Sequence, residues 1–199
     1  MIISFFFLLR KGKVIMSKLN PQRLIFGLFL LVLIIIGEVI FGHFALPGWP
    51  AFMVMVFFFL EEMNIKKAHH ILVGGAVGIA CLILAKIVIT VLGPIVGVEA
   101  ATIIFVVLAV YSIVAFGEIL PVIFNNYAFM YLTVSAGMAH VMPESNPPNP
   151  FLWIGVELIG GAVFIAGVIG IVKIMGAMAA RKAAAGGADA GAGAAGAEG

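Results

Sequence analysis

Three ionisable residues lie well inside long apolar runs, away from their ends: Glu38, Lys86 and Glu157. An ionised side chain at the centre of a membrane helix costs about 2.5–3.5 kcal/mol on insertion scales, so such groups usually face a bundle interior and have partners. Each falls about four to six residues to the outer side of the centre of its run, and at about 1.5 Å per residue the three occupy a similar depth. The pattern predicts a polar plane in the outer half of a membrane, where Lys86 pairs with Glu38, Glu157 or both. Such a plane can bind a solute, a proton or an ion. It can equally be a static buried ion pair that fixes helix register, with the third group reaching outward.

A second polar point is Asn125-Asn126, just after Pro121. Adjacent side chains diverge by about 100° on a helix, so at most one of the two faces a pore while the other bonds a neighbouring helix or the backbone. Pro121 removes a backbone donor. A helix broken there exposes backbone dipoles, as does Trp49-Pro50 at the equivalent place earlier in the chain; an ordinary helix start at proline is the competing reading. The histidines are weaker signals. His69 and His70 lie beside Lys66 and Lys67 and read as a cytoplasmic surface, while His43 and His140 end apolar runs and read as interfacial anchors. Cys81 is the one cysteine, so no disulfide framework and no cysteine metal site is expected. No nucleotide-binding loop, zinc-protease helix or catalytic triad has a usable context, and no enzymatic activity, metal or cofactor is expected.

The elements that must position these residues follow from composition. Of 199 residues, 64% are hydrophobic and 10% charged, against about 45–50% and about 25% in soluble domains. That excludes a soluble enzyme and a nucleic-acid module, and the lipid bilayer is the first partner. Six runs reach the about 17–20 residues needed to span: 24–43, 44–60, 71–92, 97–117, 119–140 and 151–175. With six spans, Arg10, Lys11, Lys13, Lys18, Arg23, Lys66, Lys67, Arg181 and Lys182 all fall on one side, and the opposite connections hold no Lys or Arg. The positive-inside rule then places both termini in the cytoplasm of a bacterial cell, with the chain multi-pass in the inner membrane. Residues 1–15 read either as an upstream extension of a start at Met16 or as a short surface helix.

The chain also repeats itself. Gly74-Gly75-Ala76-Val77-Gly78-Ile79-Ala80 and Gly160-Gly161-Ala162-Val163-Phe164-Ile165-Ala166 agree at six of seven positions. Leu46-Pro47 followed by Ala51-Phe52-Met53 is echoed by Leu120-Pro121 followed by Ala128-Phe129-Met130. Three spans repeated in tandem point opposite ways, the plan of inverted-repeat transporters and channels. The glycines Gly74, Gly78, Gly160 and Gly161 are then expected at close helix contacts. The expected fold is an all-α polytopic transmembrane bundle of about six spans with an inverted 3+3 repeat. Its parts are a basic cytoplasmic segment (1–23), two three-span repeats (24–92 and 93–177) and a disordered Ala/Gly-rich cytoplasmic tail (178–199).

The stretches Gly48–Phe59 (GWPAFMVMVFFF) and Asn125–Gly137 (NNYAFMYLTVSAG), with Lys66-Lys67 between them, resemble the YcdZ-like family of small bacterial inner-membrane proteins. The resemblance covers roughly residues 25–175 and implies a multi-span inner-membrane fold. It implies no site residue, and the longer N-terminus, the Pro-rich 143–150 loop and the tail depart from the pattern. The functional expectation is a channel or transporter for a small polar solute. Glu38, Lys86 and Glu157 are its ionisable site, and Asn125 or Asn126 is the polar lining. Six helices are few for a transporter that rocks between two states, which favours a channel or a homo-oligomer. A non-transporting scaffold or accessory subunit is the alternative.

Overall fold

The computed structural model describes residues 20–143 and 147–195, and every regular element in them is helical. Helix α1 (Pro21–His43) opens on a proline, which lacks the amide that a first turn leaves unpaired anyway, and Asn20 Oδ1 accepts from the Gln22 amide at 3.0 Å. Helix α2 (Trp49–Leu60) also has its proline, Pro50, in the first turn. It ends where Glu62 and Met63 turn the chain through positive φ (52° and 59°). Asn64 then accepts from the Lys66 amide and starts a 3-10 turn, Ile65–Lys67, leading into α3 (Ala68–Val96). Gly97 alone separates α3 from α4 (Val98–Phe116), at a φ of +90° that side chains with a Cβ rarely adopt. Helix α5 (Asn126–Val141) is capped by Asn125. Helix α6 (Pro150–Ala195) begins with proline, and Asn149 accepts from the Leu152 amide.

Among the described residues, four helical stretches are long and apolar enough to cross a membrane: Pro21–His43, Ile65–Val96, Val98–Phe116 and Pro150–Arg181. This is compatible with an integral membrane protein. They coincide with the first, third, fourth and sixth expected spans. The second and fifth expected spans form shorter helices, α2 with 12 residues and α5 with 16. Residues 44–48 and 117–125, each containing a proline, are turn and extended chain instead of helix.

The tail also differs from expectation. Helix α6 continues to Ala195, through much of the segment expected to be disordered. Alanine is the strongest helix former and dominates the composition there. The expectations for residues 1–19 and 196–199, and for 144–146 in the Pro-rich loop, lie outside the described residues.

By internal contacts the chain divides into two compact units. One contains the described residues up to Gly37 and those from Gly167 onward. Within it, a Cβ on Gly167 would lie 2.8 Å from Leu33 Cδ1, so the missing side chain is what lets Leu33 seat against α6.

The other unit, Glu38–Ala166, holds the candidate site. Phe41, Phe52 and Phe164 form one aromatic cluster, with ring centroids 4.9–6.1 Å apart. Phe105, Ile113, Ala128 and Leu132 form a second cluster that joins α4 and α5, with Val77 and Cys81 of α3 packed against it. Most of α4 remains exposed and apolar, including Val107, Tyr111 and Val114, as a lipid-facing helix would be.

Two glycine seams hold the short helices. On α3, a Cβ at Gly78 would collide with the Ala128 carbonyl, and one at Gly74 with the Asn125 side chain. On α6, a Cβ at Gly161 would lie 2.5 Å from Val54 Cγ2, and one at Gly160 2.8 Å from Ala51 Cβ. Thus α3 closes on α5, and α6 closes on α2.

Candidate polar site inside the helix bundle

Trp153, Val156 and Glu157 share the buried face of the first turns of α6, at the three- and four-residue spacing that puts side chains on one side of a helix. Glu157 is completely buried, with 0% of its surface exposed. Neither carboxyl oxygen has a hydrogen-bond partner among the described residues.

The neighbours of Glu157 come from two further helices. A Cβ on Gly75 of α3 would lie 2.5 Å from Glu157 Oε1 and 2.8 Å from Tyr131 Cε2, so the acid and the tyrosine of α5 converge over that glycine. The Tyr131 hydroxyl is committed elsewhere, donating to the Pro50 carbonyl of α2 at 2.7 Å. The two tryptophans of the chain complete the surroundings. Trp49 packs edge-on against Trp153 (centroids 5.3 Å apart, 77°) and against Tyr131 (6.3 Å). The Trp49 indole N–H is itself buried without an acceptor. Four helices therefore bring an unused carboxyl and an unused N–H donor into one aromatic-walled region. Buried polar groups without partners are rare and costly, and each needs an explanation. Chemically, the region can accept a proton or a cation, or hydrogen-bond a small polar solute.

Glu38 and Lys86, expected to share this site, are not brought to it. Both side chains are exposed, and among the described residues neither has an ion-pair or hydrogen-bond partner. Lys86 borders a shallow surface hollow with Ile83, Ile87, Thr90 and Val91. The expected plane of three charges thus resolves into one buried acid and two outward-facing charges. Sequence spacing set the depth of each group but not its direction around the helix axis.

The two asparagines divide their work. Asn125 is a structural clasp: its Oδ1 accepts from the Ala128 amide at 3.0 Å, capping α5. Its Nδ2 is shared among the carbonyls of Pro121, Val122 and, on α3, His70, at 3.0–3.2 Å. Asn126 is exposed. It lines an open hollow of about 450 Å3 with Glu61, Lys67, His70 and Tyr127 at the end of α2. There the Tyr127 hydroxyl donates to Glu61, and His70 Nδ1 lies 3.1 Å from the Pro121 carbonyl. Among the described residues no three His, Cys, Asp or Glu side chains group as metal ligands do.

Sequence reasoning missed Trp49, Gly75, Tyr131 and Trp153 as site residues. One signal was available: two of the three tyrosines, Tyr127 and Tyr131, lie one helical turn apart on a short helix. The meeting of the two tryptophans, from opposite halves of the chain, had no local signal. Comparison of the chain with protein-family models, with curated proteins and with solved structures finds no match.

Proposed function

We propose that this chain is an integral protein of the bacterial cytoplasmic membrane, of the kind implied by its resemblance to the YcdZ-like family, and that it passes a small polar solute along the interface of two inverted three-helix halves. The observation that carries this reading is the fully buried, unpartnered carboxyl of Glu157, beside the two helices too short to span. Short hydrophobic segments at corresponding places in two halves of a chain are a good pointer to a transport site. Here the order long, short, long occurs twice, as α1–α3 and α4–α6. The reciprocal seams support the same reading, because the Gly-rich helix of each half closes on the short helix of the other. In this reading α2 and α5, with their turns, complete six crossings, and both termini face the cytoplasm.

The second reading, a non-transporting scaffold, is favoured by the tightness of those seams, where Gly75 and Gly161 leave no room even for a methyl group. Purified protein in liposomes separates the two. Saturable flux of at least one member of a panel of small neutral, cationic and anionic solutes is expected. Vesicles that stay tight to the whole panel while the protein remains folded contradict transport.

A further inference from the structure

The two charges that the buried site leaves out point to a partner. Glu38 is exposed on α1, flanked by exposed Ile35 and Val39, and Lys86 is exposed on α3 beside exposed Ile87. These surroundings suit lipid, but an ionised group among them does not. Within the chain neither charge has a partner among the described residues, although their signs are opposite. On the six-crossing topology proposed above, on which this inference rests, their depths also match: α1 and α3 both enter from the cytoplasmic side, and Glu38 and Lys86 stand 17 and 18 residues past Pro21 and Ala68, about 26 Å at about 1.5 Å per residue.

We infer that Glu38 of one copy pairs with Lys86 of a second copy of this chain, so that the protein is a homo-oligomer built across the exposed faces of α1 and α3. Three arguments select a second copy over another occupant. Copies inserted by the same orientation rule are related by an axis along the membrane normal, which keeps every residue at its own depth. A matched pair in one chain is therefore matched between any two copies. The charges are complementary, so one interface neutralises both. Lys86 also borders a shallow hollow with Ile83, Ile87, Thr90 and Val91, so an acid of a neighbouring copy that meets Lys86 there has mostly apolar side chains around it. An anionic lipid headgroup could satisfy Lys86, but it would leave Glu38 exposed.

The test uses the full chain in nanodiscs and liposomes. On a Cys81→Ala background, differently tagged Glu38→Cys and Lys86→Cys chains are co-expressed and oxidised, and a mixed disulfide dimer is expected. Glu38→Lys alone should weaken association by about tenfold or more, and the exchange Glu38→Lys with Lys86→Glu should restore it. The exchange keeps the test decisive if a single variant folds poorly. Each of three results overturns the inference: a wild-type chain that is monomeric at every protein-to-lipid ratio; an oligomer that neither cross-links nor responds to the exchange; or bound anionic lipid lost in Lys86→Met with the copy number unchanged.

Discussion

The hydroxyl of Tyr131 donates to the carbonyl of Pro50 at 2.7 Å, and this one bond ties together the two short helices, α2 and α5. It crosses 81 positions of sequence and lies beside the buried acid of Glu157. The short helices are too brief to be held by membrane insertion alone, so their seat depends on such contacts and on the glycine seams behind them.

Removing that bond should loosen the seat without disturbing the aromatic packing. Tyr131→Phe keeps the ring against Phe57 and Trp49 and loses only the hydroxyl. A net loss of about 0.5–1.5 kcal/mol is expected for one buried hydrogen bond. Thermal unfolding in detergent measures it, and an unchanged midpoint would show that the bond contributes nothing.

The seams should be intolerant of a single methyl group. Gly75→Ala drives a Cβ to 2.8 Å from Cε2 of the Tyr131 ring, which its bond to Pro50 holds in place, and Gly161→Ala drives one to 2.5 Å from Val54 Cγ2. Each should cost about 1–3 kcal/mol through overpacking. Gly155→Ala, on the same helix as Gly161 but with nothing within 4 Å of the new Cβ, is the control. It should be neutral or stabilising by up to about 1 kcal/mol. Unfolding midpoints for the three variants decide the point, and equal effects would refute the packing argument.

The paired asparagines should separate cleanly. Asn125→Ala removes the cap of α5 and the donor to the His70 carbonyl, and a loss of about 1–2 kcal/mol is expected. Asn126→Ala alters an exposed position and should fall within about 0.5 kcal/mol of the parent. Backbone hydrogen exchange at the start of α5 checks this, with faster exchange expected in the first variant only.

The sequence made the long helices legible because an apolar run bounded by proline, glycine and charge is a one-dimensional signal. The first, third, fourth and sixth expected spans correspond to α1, α3, α4 and the membrane-length part of α6. The short helices were harder to read, because α2 and α5 sit in stretches as apolar as a span and only a few breakers, Pro47-Gly48 and Gly117-Glu118 with Pro121, mark the chain that turns. Depth was readable for Glu38, Lys86 and Glu157, but facing was not. With apolar residues on every side of α1 and α3, no polar stripe shows which way a charge points. The clasp at Asn125 and the meeting of Trp49 with Trp153 depend on contacts far apart in sequence. No local pattern encodes those.

The central claim is that the Glu157 carboxyl is retained for function at a cost in stability. The direct measurement replaces it with an apolar side chain of similar size, Glu157→Met, and follows thermal stability and solute flux in the same proteoliposome preparation. Replacing buried ionic groups with well-packed apolar ones is often neutral or stabilising by about 1–4 kcal/mol. An unpartnered acid that serves transport should therefore give a variant at least as stable as the parent with flux abolished. A less stable variant whose flux persists would contradict the account and leave Glu157 as a structural group.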